Sequence, residues 1–202
     1  MICAVTITYN RLELTKKTFE SFYSKTNVDY HLVVDNGSTD GTKKWLEGKY
    51  DLISFDKNYG IARAFQYALN ELPECSYVLK LDNDLEIVSE GIVEQMAGFL
   101  DKNPVYAVSP VDLMLDKDFK PRTLKTVNID GYNLEYTTHT GGAFQLARYE
   151  VVLRLCREFY HLSKGDYMIG HFYRKHGIQP AYMTDLQIKH TGLNQSCNGY
   201  IL

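Results

Sequence analysis

The first half of the chain alternates short β-branched runs with amphipathic stretches, and this alternation limits the possible folds more than any other feature of the sequence. Such a pattern is typical of βαβ units, in which helices cover a mostly parallel sheet. It predicts strands at 2–8, 30–35, 52–55, 77–81 and 105–109, and helices at 12–25, 40–48, 60–72 and 89–101. An α/β protein is therefore expected.

The second half of the chain is less regular. Residues 112–126, DLMLDKDFKPRTLKT, are polar and rich in turn formers, so we interpret them as an excursion from the βαβ pattern. Order returns with a strand-like run at 132–140, helices at about 148–162 and 166–176, and a last strand within 181–190. A chain of 202 residues suits one sizeable α/β core, so residues 1–202 are expected to form a single domain.

Charge and cysteine usage exclude several classes of function. The formal net charge of −3 leaves no basic excess for neutralising phosphates, so no nucleic-acid partner is expected. Cys3, Cys75, Cys156 and Cys197 are scattered and lack CxxC spacing, which argues against a disulfide framework or a zinc site and favours reduced thiols. The chain opens directly with strand-like ICAVTIT and contains no apolar run of membrane-spanning length. A soluble, cytoplasmic domain is expected.

Polar residues follow three of the early strands at the point where each strand ends. In open α/β sheets, ligands bind outside the carboxyl ends of the strands. Any one of these segments alone is ordinary turn chemistry, whereas all three on one edge predict a binding site. The segments are Thr8-Tyr9-Asn10-Arg11, Asp35-Asn36-Gly37-Ser38 and Asp82-Asn83-Asp84.

The two carboxylates of Asp82 and Asp84 repel each other unless a cation or hydrogen-bond donors compensate their charges. Mg²⁺ and Mn²⁺ accept one or two carboxylates together with phosphate and water oxygens. This spacing therefore predicts a site for a divalent cation, with loop or helix capping as the alternative. A calcium EF-hand is disfavoured because Ile87 occupies the position at which that loop needs glycine.

Four segments in the right order, VTITYNR, VVDNGSTDGT, NYGIARAFQYAL and LKLDNDLEI, resemble the nucleotide-binding half of family 2 glycosyltransferases of the GT-A fold, whose hallmark is the DxD motif. The resemblance covers residues 2–101 and, more weakly, 137–192. It implies a three-layer α/β/α sandwich with a mixed, mostly parallel central sheet. It also divides the domain into a nucleotide-sugar-binding half, 1–109, and an acceptor and catalytic-base half, 110–202.

The resemblance implies roles for individual residues of the first half. The nucleotide-sugar is expected to contact Thr8, Tyr9, Asn10, Arg11, Asp35, Asn58, Gly60, Arg63, Asp82 and Asn83. Asp84 would bind the metal directly, and Asp82 would lie between ribose and metal. Arg63, in the first turn of its helix, would add its charge to free backbone N–H groups facing a diphosphate.

In the second half, the family's catalytic Glu-Asp pair is reduced to Gly165-Asp166, so Asp166 is the expected base, with a helix N-cap as the alternative. Gly141 and Gly142 are expected to let backbone approach the donor sugar, although a plain turn or bulge would also explain them. The resemblance makes His190 a third ligand of the metal or diphosphate, and an imidazole suits Mn²⁺ better than Mg²⁺.

The resemblance implies an inverting, Mn²⁺- or Mg²⁺-dependent glycosyltransferase that uses a UDP-sugar and a glycan or glycoconjugate acceptor. Similar compact domains occur in bacterial surface-polysaccharide clusters and in large algal viruses, where the location would be the host cytoplasm. The domain would act alone or as part of a larger polypeptide. Two alternatives stay open: a non-catalytic nucleotide-sugar-binding domain, and a sugar nucleotidyltransferase. The latter normally has a glycine-rich loop after the first strand, which TYNRLELTK lacks.

Overall fold

The computed structural model of the protein describes residues 1–114, 122–159 and 171–192. The strands are β1 Ile2–Thr8, β2 Tyr30–Asp35, β3 Asp51–Ser54, β4 Tyr77–Leu81, β5 Leu85–Ile87, β6 Tyr106–Asp112, β7 Thr123–Ile129, β8 Tyr132–Thr137, β9 Phe144–Arg148 and β10 Gln179–His190. The helices are α1 Leu12–Lys25, α2 Thr42–Leu46, α3 Ile61–Glu71, α4 Ile92–Lys102 and α5 Tyr149–Phe159. Residues 171–175 are also helical.

The strands form one sheet in the order β3-β2-β1-β4-β9-β6-β10-β8-β7, and β5 pairs with β10 beside this path. Strands β3, β2, β1 and β4 are mutually parallel, as expected for βαβ units. In the second half β10 is parallel to β6, but β9 runs antiparallel to β4 and β6, and β8 runs antiparallel to β7 and β10. The expected mixed sheet is confirmed, and parallel pairing predominates only in its first half.

The main difference from the sequence prediction lies in the stretch 112–126. Its end belongs to β7, and its first residue closes β6, so it is not wholly an excursion. Strands β7 and β8 form a hairpin whose turn residues, Asp130 and Gly131, both have positive φ angles, of 52° and 86°. Such a two-residue turn matches the twist of antiparallel strands.

Side chains of the central strands alternate between two apolar layers, because successive residues of a strand point to opposite faces. In β4, Leu79 packs with Phe22 of α1 and Phe99 of α4. Its neighbour Val78 belongs to the opposite layer, with α3 and α5. Helices therefore cover both faces, which confirms the three-layer arrangement.

The sheet register places the polar strand ends level with one another. Thr8 pairs with Asp35 in the parallel β1–β2 ladder. Val5 pairs with Lys80 in the β1–β4 ladder, so Thr8 stands level with Asn83 once the register is continued. The segments that follow β1, β2 and β4 consequently meet at one edge of the sheet.

Candidate metal and nucleotide site

The buried side chain of Asn83 holds the turn after β4 in place. Its buried side-chain amide donates to the hydroxyls of Thr8 and Thr15, each at 3.0 Å. The backbone N–H of Leu85 donates to Thr18 Oγ1 of α1 at 2.9 Å. These contacts hold Asp82 and Asp84 at the edge of the sheet, while the side chain between them points inward.

Asp82, Asp84 and His190 form the acidic and imidazole cluster of the site. One ligand atom from each residue lies within 4.8 Å of the other two. His190 Nε2 is 3.7 Å from Asp84 Oδ1, which is beyond hydrogen-bond range. Two ligands of one ion, each about 2.1 Å from it, lie at most about 4.2 Å apart, so this separation fits a shared cation. Carboxylate oxygens with one imidazole suit Mn²⁺.

Basic side chains contact both carboxylates of this cluster. Arg11 Nη1 donates to Asp84 Oδ2 at 2.6 Å. Lys80 of β4 pairs with Asp82 Oδ1, and the same ammonium donates to the carbonyl of Gly142 at 2.5 Å. The protein thus brings its own positive charges to the position at which the sequence predicts a cation.

Burial and neighbouring charges raise the pKa values of both Asp84 and His190, through different causes. Burial raises the pKa of Asp84, and the charge of Asp82 adds to the rise, against the opposing effects of His190, Arg11 and Lys80. Burial alone would lower the pKa of His190, but the hydrogen bond to Asp112 and the nearby carboxylates raise it above its usual range. Perturbed pKa values of this kind are common at functional sites.

The segment after β10 closes over Asp84. The backbone N–H and the hydroxyl of Thr191 both donate to the carbonyl of Asp84, at 2.8 and 2.9 Å. A Cβ at Gly192 would lie only 2.4 Å from Asp84 Oδ2. The absence of a side chain at this position allows the close approach.

The loop after β1 has an unusual backbone. Asn10 and Arg11 both have left-handed φ angles, of 59° and 65°, which non-glycine residues seldom adopt. The loop is held by the one after β2: Asn10 N–H donates to Ser38 Oγ at 2.8 Å, and Asn10 Oδ1 accepts from Thr39 N–H at 2.9 Å. Asp40 then accepts from Leu12 N–H at the start of α1.

The two carboxylate oxygens of Asp35, at the end of β2, differ in their hydrogen bonding within the described part of the chain. Oδ2 accepts from the N–H of Ser38 at 3.1 Å. Oδ1 is buried and has no hydrogen-bond partner among the described residues. A buried acceptor without a donor is costly, so this atom fits a donor on a ligand, such as a ribose hydroxyl or a base N–H.

The third loop of the site is tied to the second by Asn36. Its amide donates to Asn58 Oδ1 at 2.9 Å, and Asn58 Oδ1 also accepts from Gly60 N–H at 2.8 Å. Gly37 has no room for a side chain, since a Cβ would lie 2.6 Å from the Lys57 backbone. Nearby, the exposed Arg63 lies over the ring of Tyr59, 5.0 Å from its centroid.

The Gly141–Gly142 segment precedes β9 and contacts the DxD turn through Lys80. Gly141 N–H donates to the hydroxyl of Tyr182 at 2.8 Å, and Gly142 carries the carbonyl that Lys80 contacts. The ammonium of Lys80 therefore connects the DxD turn to the glycine segment.

Comparison with known proteins identifies the family. The sequence profile of glycosyl transferase family 2 matches residues 3–152. The chain belongs to this family. No curated protein has a significantly similar sequence.

Solved glycosyltransferase structures share the fold of this family 2 chain. GalNAc-T7 with UDP, GalNAc and Mn²⁺ has a TM-score of 0.70 at 12% identity over 94% of the chain. The mannosyltransferase PcManGT from Pyrobaculum calidifontis, in complex with GDP-Man and Mn²⁺, has a TM-score of 0.70 at 19% identity over 96%. S. aureus TarS 1–349 with UDP-GlcNAc has a TM-score of 0.71 at 17% identity over 99%. The chain spans 43%, 58% and 61% of these proteins, respectively. The GT-A fold is thereby confirmed.

The structure brings most of the sequence-predicted residues of this family 2 chain to one edge. Asp166 lies outside the described residues, so its position relative to the cluster is still a prediction. Three contributors were missed: Lys80, Asp112 and Thr191. Of these three, only Lys80 could have been predicted from the sequence. A lysine inside an otherwise apolar strand is seldom buried without a charged partner, and the acids of the DxD motif follow two residues later. Within the described residues, no helix is both long and apolar enough to cross a membrane.

Proposed function

We propose that this family 2 chain is an inverting glycosyltransferase that moves a sugar from a UDP-sugar to a hydroxyl group of a glycan or glycoconjugate. One observation carries the proposal: Asp82, Asp84 and His190 converge beside the loops that follow β1 and β2. A cation held there would lie within reach of a diphosphate whose nucleoside occupies those loops. The neighbouring folds crystallised with UDP, GalNAc and Mn²⁺ and with GDP-Man and Mn²⁺ support the same assignment.

The donor nucleotide would lie across the ends of β1 and β2. No donor among the described residues reaches the buried Asp35 Oδ1, and the uracil N–H and the ribose hydroxyls are donors. Tyr9 directly follows Thr8, which pairs with Asp35, and its exposed side chain, 39% accessible, would offer an aromatic surface to the base. Arg11 and Arg63 supply positive charge for the phosphates.

Asp84 and His190, with Asp82 beside them, would hold Mn²⁺ or Mg²⁺. When bound, the cation supplies positive charge that stabilises the diphosphate as it leaves. The imidazole of His190 favours Mn²⁺. Lys80 pairs with Asp82 and Arg11 pairs with Asp84, so each carboxylate has a basic partner. We assign Asp84 as the main anionic ligand because its other oxygen, Oδ1, faces His190 Nε2 at 3.7 Å.

Transfer itself requires a base on the acceptor side. Asp166 would accept the proton of the acceptor hydroxyl while its oxygen bonds to the anomeric carbon. The bond from that carbon to the phosphate oxygen breaks in the same step, and UDP leaves from the opposite face, so the anomeric configuration inverts.

The reduced thiols expected of the scattered cysteines, of which Cys3, Cys75 and Cys156 are free, support a cytoplasmic location.

The test is nucleotide release from a panel of UDP-, dTDP- and GDP-sugars, each with Mn²⁺, with Mg²⁺ and with a chelator. We expect UDP release that depends on the metal and falls at least about 100-fold in Asp84→Asn, because the main carboxylate ligand is lost. Glu86→Gln is the matched control. Glu86 is two residues away and exposed, and its ion pair with Lys189 lies outside the cluster.

Two outcomes would replace this proposal with the alternatives. Tight UDP binding without hydrolysis or transfer for any donor would indicate a nucleotide-sugar-binding domain. Exchange of pyrophosphate into UTP in the presence of a sugar phosphate would indicate a nucleotidyltransferase.

A further inference from the structure

Asp112, the last residue of β6, faces His190, the last residue of β10. We propose that Asp112 is a positioning residue: it fixes the tautomer of His190, so that the Nε2 lone pair of His190 faces the cation. This proposal rests on the metal site proposed above. His190 Nδ1 lies 2.6 Å from Asp112 Oδ2, and the backbone N–H of His190 donates to Asp112 Oδ1 at 3.1 Å. The carboxylate therefore holds both the ring and the backbone of one residue.

The carboxylate of Asp112 is fully engaged by protein groups. Oδ1 also accepts from the N–H of Met114 at 3.0 Å, so three donors converge on the two oxygens. The side chain is only 9% exposed. Asp112 is thus placed to orient His190, and it is poorly placed to coordinate the cation itself.

The tautomer of His190 follows from these contacts. A neutral imidazole carries one N–H, and a carboxylate at Nδ1 can only accept, so the proton resides on Nδ1. Nε2 is then an acceptor that faces Asp84 Oδ1 at 3.7 Å. A carboxylate behind the imidazole also increases the basicity of the nitrogen that faces the metal.

An irregularity in the sheet creates this pair. Along β6 and β10 the register passes from Pro110–Met183 directly to Val111–Gln187, so β10 contains three additional residues, 184–186. Without them, Asp112 would lie level with residue 185. With them it lies level with Ile188, two residues from His190. Such bulges often redirect side chains at active sites.

The tautomer of His190 can be determined by NMR in the absence of metal and substrate. Histidine ¹⁵N-labelled protein is examined by long-range ¹H–¹⁵N correlation, with the pH raised until the ring ¹⁵N shifts of His190 no longer change and its imidazole is neutral, and His190→Gln identifies the signal of His190. We expect the Nδ1–H form in the wild type. In Asp112→Asn the amide oxygen stays with the two backbone donors, so the NH₂ group faces Nδ1 and the ring converts to the Nε2–H form. A wild-type Nε2–H form, or an unchanged tautomer in the variant, would overturn the proposal.

The consequence for metal binding is measured separately by Mn²⁺ titration in the presence of UDP, using the loss of the free-ion EPR signal against protein-free solutions. We expect Asp112→Asn to weaken Mn²⁺ binding about 10- to 100-fold. Asp130→Asn, in the β7–β8 turn, should leave it unchanged. In a His190→Gln background the Asp112 substitution should add no further loss, because its effect passes through the imidazole.

The possible failures are distinguishable. Equal losses of Mn²⁺ affinity in the wild-type and His190→Gln backgrounds would mean that Asp112 supports only the fold, and the proposal would be wrong. Normal Mn²⁺ binding by Asp112→Asn would also contradict it, while leaving the glycosyltransferase proposal intact. A wild-type protein that binds no Mn²⁺ with UDP would overturn the metal-dependent function and with it the role of Asp112.

Discussion

Individual atoms around Asp84 determine what the site can bind. Arg11 contacts one carboxylate oxygen, Thr191 contacts the backbone carbonyl twice, and His190 faces the other carboxylate oxygen. Gly192 completes this shell through the absence of a side chain. Asp84 is therefore fixed by the end of β10, far from it in sequence.

Gly192→Ala tests this close approach. The new Cβ would lie 2.4 Å from Asp84 Oδ2 and 2.9 Å from Asp84 Cβ, so either the carboxylate or the segment after β10 must shift. Crowding of this kind costs about 1–3 kcal/mol. If that cost falls on the cation-binding arrangement of Asp84, Mn²⁺ binding weakens about 5- to 150-fold. The Mn²⁺ titration with UDP measures the loss.

Gly98→Ala is the matched control for this substitution. Its Cβ would meet the Tyr132 hydroxyl at 3.5 Å, an ordinary contact, and alanine is favoured over glycine inside a helix such as α4. Unchanged Mn²⁺ binding is expected there. If Gly192→Ala bound Mn²⁺ as well as Gly98→Ala does, the importance of the contact with Asp84 would be refuted.

At this scale the sequence predicted a site at Asp82 and Asp84, because the acidic pair follows a buried strand, and the resemblance to family 2 enzymes added His190; the structure brings these three residues together. It did not identify Asp112, which opens the polar stretch 112–126. The contact of Asp112 with His190 depends on the three additional residues of β10, and no pattern in the chain reveals that shift.

At the scale of elements, α1 stabilises the short strand β5, which continues from the Asp82–Asp84 turn. β5 pairs with β10 on one side. On its other side, the N–H groups of Leu85 and Ile87 donate to the hydroxyls of Thr18 and Ser21, each at 2.9 Å. Helix side chains thus take the place of a neighbouring strand.

Thr18→Val removes one of these acceptors while keeping the shape of the side chain. The buried N–H of Leu85 would lose its partner, and we expect the free energy of unfolding to fall by about 1–3 kcal/mol. Urea denaturation measures the change. The exposed Thr126 of β7 provides the control, since Thr126→Val leaves no buried donor unpaired and should change stability by less than about 0.5 kcal/mol. Equal stability of the two variants would contradict the role of Thr18.

The elements were predicted best where hydrophobic periodicity decides them. The bounds of β1, α1, β2 and β4 agree with the sequence prediction, because these segments are long or strongly apolar. The strand β7 was missed because its residues are mostly exposed, and within it only Val127 and Ile129 pack against the core. The Asp130-Gly131 pair between β7 and β8 was the available signal, since this dipeptide is typical of hairpins.

At the scale of the whole molecule, the residues of the site and the contacts that stabilise the fold lie at opposite ends of the first four parallel strands. The carboxyl ends of β1, β2 and β4 carry the charged and strained residues of the site. Further towards the amino end of β2, His31 joins three elements: its ring nitrogens bond to Thr6 of β1 at 2.9 Å and to Tyr23 of α1 at 2.7 Å. The fold is thus held together at a distance from the chemistry.

This buried imidazole makes the stability of the protein depend on pH. Burial lowers the pKa of His31 to about 4, from a usual value of 6.5, so the native state keeps the ring neutral where the unfolded chain protonates it. Burial also raises the pKa of Tyr23 to about 12, so its hydroxyl stays neutral beside the ring. Stability from His31 is therefore complete above about pH 6.5 and is lost as the pH falls towards 4.

A comparison with His31→Gln isolates this contribution, because glutamine does not titrate and the carboxylates are common to both proteins. Between pH 7 and pH 5 the free energy of unfolding of the wild type should fall by about 2 kcal/mol more than that of the variant, since each pH unit below the unfolded pKa costs about 1.4 kcal/mol. Urea denaturation at both pH values measures the difference. Parallel losses in the two proteins would show that His31 is already protonated in the native state, and that its bonds to Thr6 and Tyr23 do not require a neutral ring.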